Sequence, residues 1–507
     1  MFRKVLIANR GEIAIRIMRA CREMGIRSVA VYSEADRTAL HPQMADEAHL
    51  IGPPPATESY LNFERLLDTA KKSGAEAIHP GYGFLAENAN FAQAVKDAGF
   101  VFVGPPAQAM RAMGSKTEAR RLMKSASVPI IPGMEDALAS SAEAKKVAAR
   151  IGYPVLLKAA LGGGGKGMRI VEKEEDIERA FDAATREAQG AFGDGSIYLE
   201  KFLQGPRHIE FQVLADEHGH VIHLGERECS IQRRHQKIIE ETPSVALTPE
   251  LRREMGAAAV RATKACGYVN AGTVECMLDS SGSFYFLEMN TRLQVEHPVT
   301  EMVTGIDLVK WQLRIAAGEK LTLRQEQIIP RGNAIEARLY AEDVAAGFLP
   351  STGTIHYLRM PSGPGIREDS GVAEGNEISR YYDPLMSKLI AWGENRGEAI
   401  SRLARALREY RISGVRTTIP FCLFVIEHPN FQSGDFDTRL VDTRLHREFL
   451  ELPAGSEMEQ AMAAAIALSV KQNGTLWTRE AKSQESSMRE SGWKWTGRRD
   501  TLSETRK

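Results

Sequence analysis

Glu288, Asn290 and Arg292 occupy alternate positions in Glu288-Met-Asn-Thr-Arg-Leu-Gln-Val-Glu-His-Pro298, and an extended strand would place all three on one face. Hard oxygen ligands and a guanidinium then converge on one small volume. Upstream, Glu275 sits in Gly272-Thr-Val-Glu-Cys-Met-Leu278, and the turn-forming Asp279-Ser-Ser-Gly282 lets the two runs fold back as a hairpin with Glu275 opposite Glu288. Facing carboxylates repel unless a cation lies between them. Glu275, Glu288 and Asn290 form an all-oxygen set that suits Mg2+ or Mn2+ better than zinc. The competing reading is a salt-bridge ladder in which the carboxylates pair with Arg292.

Other runs point to a bound anion. The loop Leu161-Gly-Gly-Gly-Gly-Lys-Gly-Met168 joins Pro154-Val-Leu-Leu-Lys158 to Arg169-Ile-Val171, the order of a hairpin lid. No Ser or Thr follows its lysine, so it is not a Walker A loop. Glycines at this density cost chain entropy, which is tolerable where backbone N–H groups must close over phosphates and release them. A flexible surface hairpin is the alternative. Lys158, and Lys116 at the start of a helix in Gly114-Ser-Lys116, can reach the same anion. Ile197-Tyr-Leu-Glu-Lys-Phe-Leu203 is an extended run whose apolar members can flank an adenine. His208 and Glu210 alternate along Arg207–Val213, and Cys229-Ser-Ile-Gln-Arg-Arg-His-Gln-Lys237 masses basic groups that Glu240 and Glu241 offset. Taken singly, that basic run is a solvated strand end, and Cys229 is a small buried filler rather than a nucleophile.

The elements that must position these groups fall into units. Over the first hundred residues apolar strands alternate with amphipathic helices, as in Lys4-Val-Leu-Ile-Ala8, a helix through Ala14–Met24 and Ser28-Val-Ala-Val-Tyr32, which predicts an open, largely parallel α/β sheet. Asn9-Arg-Gly-Glu12 lacks the spacing of a dinucleotide loop. Tyr82 and Gly83 fall in a loop at a strand end, where ligand crevices form. Thr248-Pro-Glu250 caps a helix running to Cys266. From about residue 334 the pattern turns β-rich, with expected strands at Gly353–Leu358, Tyr381–Leu385 and Lys388–Trp392, and an amphipathic helix Arg396–Tyr410. Arg338 shares a strand face with Glu336 and Tyr340, and a structural pair with Glu336 is its simplest role.

Composition excludes several classes. The chain has 507 residues, enough for about three domains, and a formal net charge of -1, which argues against a nucleic-acid or membrane-surface protein. Its five cysteines form no C-x-x-C pair and read as free thiols in a reducing compartment. With no run long enough to span a bilayer or act as a signal, the expectation is a cytoplasmic protein.

Taken in order, Ala8-Asn-Arg-Gly-Glu-Ile-Ala14, His79-Pro-Gly-Tyr-Gly-Phe-Leu-Ala-Glu-Asn88, the Gly162–Gly167 loop, Cys229–Lys237, Glu288–Pro298 and Glu336-Ala-Arg-Leu-Tyr-Ala-Glu342 resemble the biotin carboxylases, the ATP-grasp component of biotin-dependent carboxylases. The resemblance covers roughly residues 1 to 447. It implies a multidomain α/β and α+β fold: an N-terminal open parallel α/β domain over 1–114, an ATP-grasp domain over 115–333 with its glycine-loop lid at about 132–203, and a β-rich C-terminal domain over 334–447. It also implies roles. Lys116, Lys158, His208 and the backbone of Gly163, Gly164 and Gly165 would hold the ATP phosphates and ribose; Glu200, Lys201 and Leu203 would form the adenine hinge with Gln232, His235 and Met277 nearby. Met277 stands where the family more often has Leu. Glu275, Glu288 and Asn290 would ligate Mg2+ or Mn2+, two ions in all. Bicarbonate would lie against Lys237, Arg292, Gln294 and the Val295 backbone with Glu296 as base, and Tyr82, Gly83 and Arg338 would face biotin.

The implied partners are a biotin carboxyl carrier protein, since no Met-Lys-Met biotin-acceptor signature occurs in the chain, a carboxyltransferase, and a second copy of the chain in a holoenzyme. The tail 448–507 departs from the family: Ser456-Glu-Met-Glu459 opens a helix through Val470, and Trp477, Trp493 and Trp495 follow among polar residues, a pattern that suits docking to a partner. Two other readings compete. A sister ATP-grasp ligase would share the nucleotide and metal residues but lack the set Gln294, Val295, Glu296, Arg338 and Tyr82; a non-catalytic nucleotide-binding scaffold would have lost Glu288, Lys237 or Glu296.

Overall fold

Strand β1 (Lys4–Ile7) is buried apart from its first residue, and the chain returns to it through helical crossovers to build a five-stranded sheet. With β2 (Arg27–Ser33), β3 (Glu47–Gly52), β4 (Ala77–His79) and β5 (Val101–Phe102), the order is β3-β2-β1-β4-β5 and every pairing is parallel. The expected open α/β unit is present. The computed structural model describes residues 1–134, 137–159 and 168–451, and Met1–Phe449 form one contact unit. Helix Gly11–Glu23 buries Ile13, Ala14, Ile17 and Met18 at helical spacing; these pack with Leu214, Leu293, Leu308 and Trp311 of the following domain. That shared core fixes the Tyr82 loop against the central sheet.

A second sheet comes from β6 (Val155–Ala159), β7 (Met168–Val171) and β8 (Ile197–Lys201), ordered β7-β6-β8 and antiparallel. Lys158 opposite Met168 is the last pair before the glycine loop, so the strands flanking it form the expected hairpin. Gly163, Gly164 and Gly165 lie outside the described residues, as does the tail from residue 452.

The main sheet of the described residues has eight strands: β9 (Arg207–Ala215), β10 (Val221–Arg233), β11 (Gln236–Thr242), β12 (Asn270–Leu278), β13 (Phe284–Asn290), β14 (Asn333–Tyr340) and the strands Ile366–Ser370 and Leu385–Gly393. Its order is β13-β12-β9-β10-β11-β14, then Leu385–Gly393, then Ile366–Ser370. One continuous sheet thus carries residues from the Glu275–Glu288 hairpin to the β-rich C-terminal region. Helix Pro249–Ala265 is capped as expected, the Thr248 hydroxyl accepting from Leu251 N–H at 3.2 Å.

Two strand expectations need correction. Gly353–Leu358 is not one strand: Gly353–Thr354 and Tyr357–Arg359 pair with different partners, and Ile355 turns into the core. Tyr381 and Tyr382 lie in a turn and bend, Asp383 and Pro384 belong to no strand, and the strand begins at Leu385. Pro384 has no N–H to give a ladder, and the Asp383 side chain accepts from Leu385 N–H at 2.8 Å.

Candidate active site

Antiparallel pairing puts Glu288 on β13 opposite Glu275 on β12, Glu275 opposite Glu210 on β9, and Glu210 opposite Arg227 on β10. Carboxylates on three adjacent strands thus stand in a row. Glu288 is exposed, while Glu275, Glu210 and Arg227 are buried. Such a row holds only if cations are built in. Arg227 supplies one from the interior, donating to Glu210 at 2.6 Å, Gln212 at 2.8 Å, Thr300 at 3.0 Å and Thr273 at 3.1 Å. Lys237 supplies the other: its ammonium donates to Glu210 at 2.5 Å, Glu275 at 2.9 Å and Glu296 at 2.7 Å. Burial opposes the charge, but these carboxylates outweigh it and raise the Lys237 pKa well above the ordinary lysine value.

Strand β13 ends at Asn290, so Arg292 lies in the following turn rather than on the strand itself. Its guanidinium still reaches the shared face. Arg292 donates to Asn290 Oδ1 at 3.1 Å and Gln294 Oε1 at 2.6 Å, while Asn290 and Gln294 each donate to Glu275 Oε1 at 2.8 Å. From the N-terminal domain Glu87 holds the same turn, accepting from Thr291 N–H at 2.8 Å and Arg292 Nε at 3.1 Å. Glu288 and Glu275 pair across the hairpin as the spacing suggested, with Asn290 bonded to Glu275, and an exposed carboxylate beside a buried one fits a divalent cation approached from the exposed side. The arginine ladder also exists, through Asn290 rather than directly to Glu275 or Glu288.

Glu296 ends the loop as the residue before helix His297–Thr304 and is fully buried. Lys237 donates to one carboxylate oxygen and Arg338 to the other at 2.9 Å. Burial alone would raise its pKa; Lys237, Arg338 and Arg227 outweigh burial and hold it well below the carboxylate range. Arg338 also donates from Nε to Glu240 at 2.5 Å, so its partners are Glu240 and Glu296. Glu336 is not the partner expected for it. Glu240 faces Glu336 across the β11–β14 ladder, and both Glu336 oxygens are buried without a hydrogen-bond partner among the described residues. Burial pushes Glu240 up to about 7 against the pull of Arg338.

The residues expected around the nucleotide lie mainly on β6, β8 and β9. Lys158 pairs with Glu200 on the neighbouring strand, and Arg120 lies 3.6 Å from the same carboxylate. Lys116 is the first residue of helix Lys116–Ser125, capped by Ser115; burial, then Lys158, lower its pKa. His208 lies 2.9 Å from Glu275; burial disfavours the charged ring, but Glu275 outweighs it and raises the His208 pKa. Lys201 turns its ammonium to the carbonyls of Gly152 and Tyr153 at 2.9 and 3.1 Å, which leaves its backbone for the expected adenine hinge. Leu203 and Met277 are half-buried, and Met277 stands opposite His208. Gln232 is buried with no partner for its amide nitrogen among the described residues, and His235 sits at the β10–β11 turn with φ of 67°. An orphaned buried donor there fits the edge of a base.

On the other side, Tyr82 gives its hydroxyl to Glu12, and Gly83 is exposed. Cys229 is buried 3.9 Å from Glu296; burial and then Glu210 raise its thiol pKa far above the ordinary value, as suits an inert filler. Glu87, Arg227 and Lys388 were not singled out from sequence, and Glu240 was read only as an offset to the basic run before it. Arg227 lies between Glu226 and Glu228 and looks like a solvated charged stretch. The period of two that aligns Glu210 with His208 was the available signal for Glu210.

Family models match in sequence along the chain: the N-terminal domain of biotin carboxylase over residues 1–110, the ATP-binding domain of the carbamoyl-phosphate synthase L chain over 115–324, and the biotin carboxylase C-terminal domain over 336–443. The chain belongs to the biotin carboxylase family. It has that family's ATP-grasp fold and its activity as a ligase, the ATP-dependent carboxylation of biotin with bicarbonate. A pyruvate carboxylase subunit from Methanothermobacter thermautotrophicus is 56% identical over 442 residues, covering 87% of this chain and 90% of the relative. Biotin carboxylase of Halalkalibacterium halodurans is 54% identical over 445 residues, covering 88% and 98%. The biotin carboxylase domain dimer of Hydrogenobacter thermophilus 2-oxoglutarate carboxylase, solved with MgADP, ADP and bicarbonate, superimposes with a TM-score of 0.83 at 52% identity, covering 89% and 99%.

Proposed function

We propose that the chain carboxylates biotin through carboxyphosphate at the site organised by Lys237, Arg292, Glu296 and Arg338. The observation that carries this reading is the placement of Glu296, a buried carboxylate between two cations and next to the loop residues Gln294 and Val295. Bicarbonate is a poor electrophile toward a urea nitrogen. Its oxygen must first attack the ATP γ-phosphorus, releasing ADP. Lys237 and Arg292 hold the bicarbonate anion with Gln294 and the Val295 backbone, and Glu296 accepts its proton. A carboxylate bonded to Lys237 and Arg338 is a weak base; bicarbonate that draws on Lys237 leaves Glu296 more basic at the moment it is needed.

Lys116, Lys158, His208 and the Gly163–Gly165 backbone hold phosphates and ribose; Glu200, Lys201, Leu203, Gln232, His235 and Met277 form the adenine pocket. Glu275, Glu288 and Asn290 would hold Mg2+ or Mn2+, which neutralises phosphate charge when bound. Carboxyphosphate then yields CO2 and phosphate. The phosphate takes the biotin N–H proton, the ureido nitrogen attacks the carbon of CO2 to give carboxybiotin, and Arg338 stabilises the ureido oxygen as charge develops, with Tyr82 and Gly83 at the ring.

In this reading residues 1–114, 115–333 with the lid at about 132–203, and 334–447 are the three working domains. Biotin arrives on a carrier protein, a separate carboxyltransferase chooses the final acceptor, and two copies of the chain pair within a cytoplasmic holoenzyme. The relatives support that division: one is named for pyruvate and another for 2-oxoglutarate, at similar identity. Among the described residues no helix is long and apolar enough to cross a membrane. A sister ATP-grasp ligase is disfavoured because the flanking family matches, and Tyr82 and Arg338 within the expected set, lie outside the shared ATP-binding region. The test is ADP release by the purified chain with Mg2+, with and without bicarbonate, together with carboxylation of free biotin; ATP cleavage at equal rates without bicarbonate would overturn it.

A further inference from the structure

Lys388, on strand Leu385–Gly393, has no part in the chemistry above, yet its side chain is fully excluded from solvent. Its ammonium donates to the Val295 carbonyl at 2.9 Å and lies 3.2 Å from Glu12. Asp369 is farther, at 3.9 Å, and is already held by Arg367 at 2.8 Å. Glu12 accepts the Tyr82 hydroxyl on the same oxygen, and the Lys388 nitrogen sits 5.8 Å from the Tyr82 ring centre. Three distant parts of the chain therefore meet on one cation: the first helix, the strand of the C-terminal domain, and the loop carrying Gln294, Val295 and Glu296.

Charge balance explains Glu12 but not Val295: a neutral carbonyl adds no charge to the pair, yet it takes one of the three ammonium protons. The carbonyl of Val295 belongs to the peptide whose N–H is that of Glu296. In a planar trans peptide these groups point in opposite directions, so fixing the carbonyl also fixes the N–H and the Cα from which Glu296 reaches Lys237 and Arg338. We propose that Lys388 is a positioning residue that clamps the Val295–Glu296 peptide and, through Glu12, ties the bicarbonate loop to Tyr82. The proposal rests on the assignment of bicarbonate to this loop and of biotin to Tyr82. Displacement of a positioned group by about 1 Å can cost on the order of 10²-fold in rate.

The test is steady-state kinetics of bicarbonate-dependent ATP cleavage by Lys388→Met, Glu12→Gln, Tyr82→Phe and the Lys388→Met/Tyr82→Phe double variant, with Arg292→Ala as control. Lys388→Met is expected to raise KM for bicarbonate by about tenfold or more while KM for ATP stays within about twofold, the signature of a displaced loop. Tyr82→Phe, which removes only the hydroxyl on Glu12, should change KM for bicarbonate in the Lys388 background and have no further effect beside Lys388→Met. If Lys388→Met does not fold, Tyr82→Phe carries the comparison, since it removes one hydroxyl and leaves the buried Lys388–Glu12 pair intact. Unchanged bicarbonate KM in the folded variants, or additive effects of Tyr82→Phe and Lys388→Met, would overturn the clamp. Should Arg292→Ala also leave bicarbonate KM unchanged, the assignment of the bicarbonate site falls instead.

Discussion

Arg338 donates to Glu296 at 2.9 Å, across a separation of 42 residues, and both side chains are buried. The group assigned to the biotin oxyanion is thus hydrogen-bonded to the group assigned as base, so the two half-steps share one ion pair. Arg338→Gln should reduce biotin carboxylation more than bicarbonate-dependent ATP cleavage, because its charge is needed after carboxyphosphate has formed. Measuring both rates on one preparation checks this; equal losses would place Arg338 in the first step.

Glu296→Gln keeps the shape of the side chain and removes its basicity. Loss of roughly 10²-fold or more in both activities is expected, the usual contribution of a general base, with ATP binding little changed by calorimetry. A large loss of ATP affinity would instead assign Glu296 to the nucleotide and metal region.

Arg227 has no contact with solvent and is bonded to Glu210, Gln212, Thr273 and Thr300. Arg227→Met leaves Glu210 with Lys237 as its remaining cation, and the expected destabilisation is about 3–5 kcal/mol, the range for breaking a buried pair from one side. Thermal and denaturant midpoints read the effect; a variant as stable as the parent would show that the ladder of carboxylates does not depend on this arginine.

Glu368 gives a pH signature away from the site. Burial raises its pKa from 4.5 to about 7, against the hydrogen bond from Tyr410. The folded chain therefore keeps a proton that the unfolded chain has released, and stability is lost as pH rises from about 4.5 to about 7, then levels off. Glu12, Glu240 and Glu342, also pushed up to about 7, act in the same direction. Glu368→Gln fixes the neutral form, so its melting temperature should fall less than the parent's between about pH 5 and about pH 7.5. Parallel curves would contradict the shift.

What was legible in sequence is what short-range rules govern. The pairing of Glu275 with Glu288 follows from alternation and a turn of Asp, Ser and Gly only a few residues long, and the caps at Ser115 and Thr248 from local hydrogen bonding. Family resemblance then supplied roles for residues such as Arg338 that no local rule connects to Glu296. Neither route reached Lys388, whose bond to Val295 spans 93 residues, or Glu87, which reaches Arg292 across 205. Arg227 was missed for a different reason: alternation separates two faces of a strand but does not say that both are covered. The expected strand at Tyr381–Leu385 failed because aromatic β propensity there yields to Pro384 and the Asp383 turn.

The central claim is that bicarbonate, not water, attacks the γ-phosphorus. Bicarbonate labelled with 18O, supplied in unlabelled water to the purified chain with ATP and Mg2+, tests this through the isotopic content of the released phosphate. Attack by bicarbonate leaves one of its oxygens on phosphorus when carboxyphosphate breaks down, so phosphate carrying a single label is expected, in step with ADP. Unlabelled phosphate, formed at the same rate under conditions where the bicarbonate label is retained, would mean that water is the nucleophile and would contradict the account.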